Sequence, residues 1–150
     1  MSLARLVASG FGSGYAPKAP GTVGSLVALV IGAGLLTLPV WVLPAAVLAA
    51  TLGGLWAVAR AGAGDDPGWV VIDEFAGQWL AMMALAAPTP LGLLAAFLLF
   101  RLLDIVKPGP IGWADRQHGA AGVMGDDMIA GAIAAGILWA VQSRFPGVLG

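Results

Sequence analysis

Long uncharged stretches separated by short charged patches are the main pattern of this sequence. No charged residue occurs in residues 19–59, 75–100 or 128–143, which are stretches of 41, 26 and 16 residues. No strand-like alternation and no internal repeat interrupts them. Helices satisfy their own backbone hydrogen bonds, so long apolar runs of this kind predict helices. The pattern therefore predicts an all-α chain that forms a single domain over residues 1–150.

Prolines divide the two longer stretches into pairs of helices. Proline removes a backbone donor and disfavours helical geometry in the residue before it. Pro39 and Pro44 separate the first pair, and Pro88 with Pro90 separates the second. The prediction is a bundle of about five short helices, over residues 24–38, 45–60, 73–87, 91–107 and 126–142.

The composition predicts a membrane environment for this bundle. Charged residues make up 10% of the chain and hydrophobic residues 59%, and the mean hydropathy is +0.93. Soluble domains contain roughly 25% charged residues, and so few charges do not cover the surface of a small soluble protein. We therefore expect an integral membrane protein. The N-terminal residues lack the long apolar core of a cleavable signal, so no targeting segment is expected.

The positions of the charges predict how the helices cross the membrane. If each proline pair marks a hairpin turn, six of the seven Lys and Arg residues share one face. The positive-inside rule places that face in the cytoplasm. If Pro88 and Pro90 only kink one span, Glu74 and Arg101 lie on opposite sides, and we favour the hairpin. Each helix measures roughly 22–27 Å against a hydrocarbon core of about 30 Å. The helices therefore either thin the bilayer or sink their charged ends into the interface.

Several classes of function are excluded by the composition. The absence of cysteine excludes a disulfide scaffold, a thiolate zinc site and a cysteine nucleophile. A single histidine, His118, leaves no two-histidine metal site. The net charge of −1 offers no basic surface, so we expect no nucleic-acid partner.

Carboxylates and cations gather on the predicted cytoplasmic face. Each has a structural explanation when taken singly, since the acidic pairs at 73–74 and 126–127 stand at helix-capping positions and Arg101 can pair with Asp104. Together they are harder to dismiss, because charges near a membrane are expensive and mark functional sites. Oxygen ligands suit magnesium rather than zinc, and cations beside them suit phosphate. These residues predict a magnesium-dependent site for a phosphorylated molecule at a membrane surface.

Four stretches resemble the phosphatidylglycerophosphatase A family, in that family's order and across nearly the whole chain. They are residues 17–25 (PKAPGTVGS), 71–77 (VIDEFAG), 100–108 (FRLLDIVKP) and 125–131 (GDDMIAG). The resemblance implies a multi-pass phosphatase of the bacterial inner membrane, with its active face in the cytoplasm. It also implies a magnesium-dependent reaction of phosphatidylglycerol biosynthesis, in which phosphatidylglycerophosphate is hydrolysed to phosphatidylglycerol and inorganic phosphate. The family fold is all-helical and also occurs in soluble proteins. The high hydropathy of this chain favours the membrane form. The chain departs from the family's frequent Lys-Pro-Trp-Pro at Gly109, which lacks the aromatic ring.

On this resemblance we predict roles for ten residues. The predicted metal ligands are Asp73, Glu74, Asp104 and Asp127. The predicted catalytic residues are Asp73 and Glu74, followed by Asp66 and Asp126, which lie around the metal or act as the general base. The predicted ligands of the substrate phosphate are Lys18, Thr22, Arg101 and Lys107. Direct attack of water on phosphorus is the preferred route, and an aspartyl-phosphate intermediate is the alternative.

Two other classes of function remain as alternatives. A non-catalytic membrane scaffold would dock anionic lipid headgroups on the charged face, but it does not need so many carboxylates. A channel or transporter would place polar residues inside the spans, and the apolar runs contain almost none. Gly131 and Ala135 lie four residues apart, which allows close helix packing within one chain or between two. The oligomeric state, the number of metal ions and the acyl-chain preference are left open.

Overall fold

The computed structural model describes residues 1–150, and every regular element in it is helical. The α-helices are α1 (Leu3–Ala8), α2 (Pro20–Leu35), α3 (Val42–Ala61), α4 (Ile72–Met82), α5 (Pro90–Val106), α6 (Pro110–Asp115) and α7 (Gly119–Arg144). One 3-10 turn spans Ser13–Tyr15. The all-α prediction is therefore confirmed.

The prediction of about five short helices is wrong in the number of helices and in several of their bounds; α4, for example, ends at Met82 rather than at residue 87. The six-residue helices α1 and α6 were not expected, and α7 has 26 residues rather than a short span. Pro110 occupies the first position of α6, where its missing N–H has no partner to lose. α7 begins at Gly119 rather than near Asp126, so Gly122 and Gly125 lie inside the helix despite their low helix propensity.

The short helix α4 forms the centre of the bundle. Its residues Phe75, Ala76, Ala81 and Met82 are completely buried, and α4 packs against α2, α3, α5 and α7. A Cβ on Gly131 of α7 would lie 3.0 Å from the Cα of Gly77, so the two backbones touch where both side chains are absent. The close packing expected at Gly131 thus occurs within one chain.

α4 and α5 form an antiparallel hairpin. Glu74 lies in the first turn of α4 and Arg101 near the end of α5, yet Arg101 Nη1 is 3.9 Å from Glu74 Oε1. Two ends so far apart in sequence meet only if the chain reverses between the helices. The hairpin interpretation is therefore correct, and it brings the charged patches to one end of the bundle.

The outer surface of the bundle is strongly apolar. α3 and α7 are long and apolar enough to cross a membrane, and α2 is a shorter apolar helix. Large apolar side chains are exposed on α2, α3, α5 and α7. Two candidate spans suggest membrane association, and the multi-pass arrangement stays a prediction.

Candidate active site

A polar cavity of about 290 Å³ lies where α2, α4, α5 and α7 meet the loop between α3 and α4. Its carboxylates are those of Asp66, Asp73, Glu74, Asp104, Asp126 and Asp127. Its cations are Arg101 and Lys107, and its remaining wall is Pro20, Gly21, Gly68, Val70 and Ile105. Eight of the ten predicted site residues therefore line one cavity.

The carboxylates of the cavity form two overlapping groups. Asp73, Glu74 and Asp127 each place an oxygen within 4.8 Å of the others, and Asp104, Asp126 and Asp127 do the same. Asp127 belongs to both groups and is only 2% exposed. So many buried carboxylates close together repel one another unless positive charge lies among them.

The two acidic pairs reach the cavity from different places in their helices. Asp73 and Glu74 stand in the first turn of α4, as predicted, where free backbone N–H groups favour negative charge. Asp126 and Asp127 lie two turns inside α7, so the expectation that they cap a helix is wrong. The physical reason is that α7 already begins at Gly119.

The residues present fit a bound divalent cation. Three buried carboxylate oxygens have no hydrogen-bond partner, namely Asp73 Oδ1, Glu74 Oε2 and Asp127 Oδ2. A buried acceptor without a donor costs folding free energy, so a positively charged ligand would stabilise these atoms. An all-oxygen donor set is the kind that Mg²⁺ and Ca²⁺ prefer.

Arg101 is held between α5, α4 and α2. Its Nη1 donates a hydrogen bond to Asp104 Oδ2 and lies near Glu74, and its Nη2 donates to Thr22 Oγ1 at 3.4 Å. The Arg101–Asp104 pair expected as a structural feature is present, and the guanidinium lines the cavity as well. Its Nε has no partner. A planar guanidinium with a spare donor suits the oxygens of a phosphate group.

Lys107 is surrounded by carboxylates. Its Nζ donates a hydrogen bond to Asp126 and forms ion pairs with Asp115 at 2.8 Å and Asp104 at 3.8 Å. Burial acts to lower the pKa of Lys107, but the hydrogen bonds to Asp115 and Asp126 outweigh it and keep that pKa above its ordinary value. The bond to Lys107 in turn lowers the pKa of Asp115. Lys107 is therefore a positively charged group that holds three carboxylates together.

Asp66 lies at the rim of the cavity and forms no ion pair. Although much of the residue is exposed, enough protein surrounds its carboxyl group to change its titration. This burial, followed by the negative charge of Asp126, raises the pKa of Asp66 to about 6. Such a group changes charge close to neutral pH, as a general base requires.

The family model described as phosphatidylglycerophosphatase A matches residues 6–142. The chain belongs to this family. It is 40% identical over 145 residues to phosphatidylglycerophosphatase A of Escherichia coli (strain K12), covering 94% of this chain and 84% of that protein. The Haemophilus influenzae protein of the same name is 37% identical over 142 residues, covering 91% and 87%.

A third relative carries a different name. A Bacteroides thetaiotaomicron protein, provisionally named phosphatidylinositol-3-phosphatase, is 39% identical over 135 residues, covering 84% of this chain and 85% of that protein. No solved structure matches the chain. Membership of the phosphatidylglycerophosphatase A family confirms the resemblance seen in the sequence and makes the chain a phosphatase.

Two predicted phosphate ligands of the phosphatase do not line the cavity. Lys18 is exposed in the bend before α2 and forms no ion pair. Thr22 lies in the first turn of α2 and contacts the cavity indirectly, through its hydrogen bond with Arg101. In this family member Arg101 and Lys107 are therefore the cations that the fold brings to the carboxylates.

The sequence did not single out Asp115 as a site residue. It lies at the end of α6, eight residues after Lys107, and only the turn through Gly109 and Pro110 brings it back to the Lys107 ammonium group. Asp115 also lines a neighbouring polar cavity of about 230 Å³, which shares Asp66 and Asp126 with the first. Nothing in the residue spacing indicates this contact.

The N-terminal segment supports the loop that carries Asp66. The guanidinium of Arg5 lies 5.1 Å from the centre of the Trp69 ring, and Tyr15 stacks on the same ring at 6.1 Å. The backbone N–H of Val71 donates to the carbonyl of Ala8 at 2.9 Å. These contacts fix the polypeptide immediately before α4, and so the position of Asp73 and Glu74.

Proposed function

We propose that this chain hydrolyses the terminal phosphate of phosphatidylglycerophosphate in a magnesium-dependent reaction, giving phosphatidylglycerol and inorganic phosphate. We place it as a multi-pass protein of the bacterial inner membrane, with the cavity on the cytoplasmic face. The observation that carries the proposal is the cavity in which six carboxylates surround two cations. The names of the Escherichia coli and Haemophilus influenzae relatives support the substrate.

The metal would be held by the buried carboxylates. Asp73, Glu74 and Asp127 carry the unpartnered oxygens, and Asp104 with Asp126 extends the group around Asp127. When bound, the ion supplies positive charge to the transferring phosphoryl group and makes a nearby water more acidic. Gly21 leaves room at this point, since a Cβ there would meet Glu74 and Arg101.

The chain's own residues bind the phosphate and accept a proton. Arg101 is placed to donate to phosphate oxygens and to offset the charge that builds up on them. Asp66 is the better general base, because Asp126 already accepts a hydrogen bond from Lys107. As water attacks phosphorus, a carboxylate oxygen of Asp66 takes its proton while the bond from phosphorus to the glycerol oxygen breaks, and the glycerol oxygen gains a proton from solvent to become the hydroxyl of phosphatidylglycerol. Lys107 keeps the surrounding carboxylates in place.

Phosphate release by the detergent-purified protein tests this proposal. Phosphatidylglycerophosphate is supplied with magnesium or with EDTA, and wild type is compared with Asp73→Asn. The matched control is Asp65→Asn, an exposed neighbouring carboxylate that does not line the main cavity. We expect release that needs magnesium, is lost in Asp73→Asn and persists in Asp65→Asn. Release that continues unchanged in EDTA would remove the metal from the reaction.

A second lipid phosphate is a candidate substrate. The Bacteroides thetaiotaomicron relative, at 39% identity, is named for phosphatidylinositol 3-phosphate rather than phosphatidylglycerophosphate. The same assay with both lipids, at equal mole fraction in detergent, decides between them. A higher kcat/KM for the inositol lipid would replace the proposed substrate while leaving the phosphatase reaction intact.

A further inference from the structure

One side of α5 is a continuous apolar stripe that ends at the cavity. Its members recur at intervals of three and four residues, so they lie on one side of the helix. They are Leu91, Leu94, Leu98, Leu102 and Ile105, all between 53% and 67% exposed. The opposite side of α5 is buried at Gly92, Ala96, Phe100 and Asp104. We call the exposed set the α5 stripe.

Ile105 joins the α5 stripe to the cavity. Its side chain lines the cavity and is nevertheless 67% exposed. The other large apolar side chain in the cavity wall, Val70, is 3% exposed and faces the core. Arg101 precedes Ile105 by four residues, so the guanidinium and the stripe lie next to each other on α5. A charged group at Arg101 is thus continuous with an apolar surface.

The neighbouring part of α2 leaves this side of the cavity open. Gly21 has no side chain beside Glu74 and Arg101. Thr22 contacts Arg101, and Leu26 lies one turn further along the same side of α2, 44% exposed. By contrast, no α3 residue lines the cavity, so the exposed apolar residues of α3 are not part of its wall. On the α2–α5 side, the charged residues of the cavity therefore lie next to an exposed apolar surface.

We infer that the acyl chains of the substrate lie along the α5 stripe while its terminal phosphate occupies the cavity. This inference rests on the proposed function and adds the surface that recognises the lipid tail. From Ile105 to Leu91 the stripe measures roughly 21 Å at 1.5 Å per residue. One leaflet of the hydrocarbon core is roughly 15 Å deep, so the stripe is long enough for a full acyl chain.

Acyl-chain selectivity is the measurement that tests this surface. Phosphate release is followed with dioleoyl and with dibutanoyl phosphatidylglycerophosphate, and the ratio of the two kcat/KM values is compared between variants. The test variant is Leu98→Ala/Leu102→Ala, which changes two residues of the α5 stripe that do not line the cavity. The control is Leu48→Ala/Leu52→Ala on α3, where the two leucines are 60% and 58% exposed. We expect the ratio to fall about fivefold in the α5 variant, through KM, because apolar contact area with the long chains is lost. The α3 variant should keep the wild-type ratio.

The short-chain substrate separates the possible results. Retained turnover of the dibutanoyl lipid shows that the α5 variant is folded and that its phosphatase site is intact. If its selectivity ratio then matches wild type, or if the α3 variant loses selectivity equally, the α5 stripe does not hold the acyl chains. If wild type releases phosphate from neither lipid, the proposed function fails and this inference fails with it.

Discussion

The α4 wall and the α7 wall of the cavity each present two adjacent acidic residues, but in different electrostatic settings. Asp73 and Glu74 stand at the beginning of α4, where the helix itself favours negative charge. Asp126 and Asp127 lie two turns inside α7, beyond the free backbone N–H groups of its first turn. Countercharge for the α7 pair must therefore come from side chains or from a bound cation. The α7 pair therefore depends more on neighbouring cations than the α4 pair does.

The largest difference in activity is expected between the variants of the two α7 carboxylates, Asp126 and Asp127. Asp127 belongs to both carboxylate groups and has an unpartnered oxygen, whereas Asp126 is hydrogen-bonded to Lys107. We expect Asp127→Asn to lower kcat/KM by roughly 1,000-fold, and Asp126→Asn by roughly 10-fold. Steady-state phosphate release checks both, with magnesium affinity from calorimetry as a second readout. Equal losses would show that the two carboxylates share one role.

The next largest loss of activity is expected at Asp66, in the loop before α4. A general base contributes typically 10²–10⁴-fold, so Asp66→Asn should lower kcat by about 100-fold and remove the acid limb of the pH–rate profile near pH 6. Asn tolerates the positive φ of 52° at this position, so the backbone is retained. Asp65→Asn is the control. An acid limb that survives in Asp66→Asn would assign the base to another residue.

Although Asp66→Asn should lower the activity, it should raise the stability of the folded protein. Because its pKa is raised in the folded state, the stability that this group contributes is present at low pH and is lost as the pH rises through about 6. Asp66→Asn should therefore raise the Tm relative to wild type at pH 8, and the difference should shrink at pH 5. Thermal unfolding in detergent at the two pH values measures this. A Tm difference that grows toward pH 5 would contradict the sign.

The contact between the two walls is sensitive to a single methyl group. A Cβ on Gly131 would press on the backbone of Gly77 and push α7 away from α4, whereas a Cβ on Gly136 meets nothing within 4 Å. We expect Gly131→Ala to cost about 1–3 kcal/mol of stability and Gly136→Ala to be neutral or slightly stabilising. Tm in detergent separates them. Kinetics of Gly131→Ala should also show about a tenfold loss, since the two acidic pairs move apart.

The sequence predicted these walls unequally, for physical reasons. Proline positions and uncharged runs were enough to place the α4–α5 hairpin and to bring Glu74 and Arg101 together. The start of α7 was missed because Gly119, Gly122 and Gly125 have low helix propensity, yet all three belong to α7. The Lys107–Asp115 pair was missed because it depends on the turn through Gly109, whose φ of 52° no spacing rule indicates. Patterns predict elements, whereas contacts between loops depend on backbone geometry.

The smallest effect should come from the cation that supports the α7 wall. Lys107→Met leaves Asp126 without its hydrogen-bond donor and Asp115 without an ion-pair partner, whereas Asp104 keeps its pair with Arg101. Breaking such a partly buried pair should cost about 1–2 kcal/mol, less than for a fully buried one. Arg116→Gln is the control, because Arg116 is an exposed cation at the same end with no ion pair. In Lys107→Met/Asp126→Asn the Tm loss should be smaller than the sum of the single losses, since the unpaired charge is gone. Strict additivity would mean that Lys107 does not support Asp126, and the α7 pair would then depend on a bound cation alone.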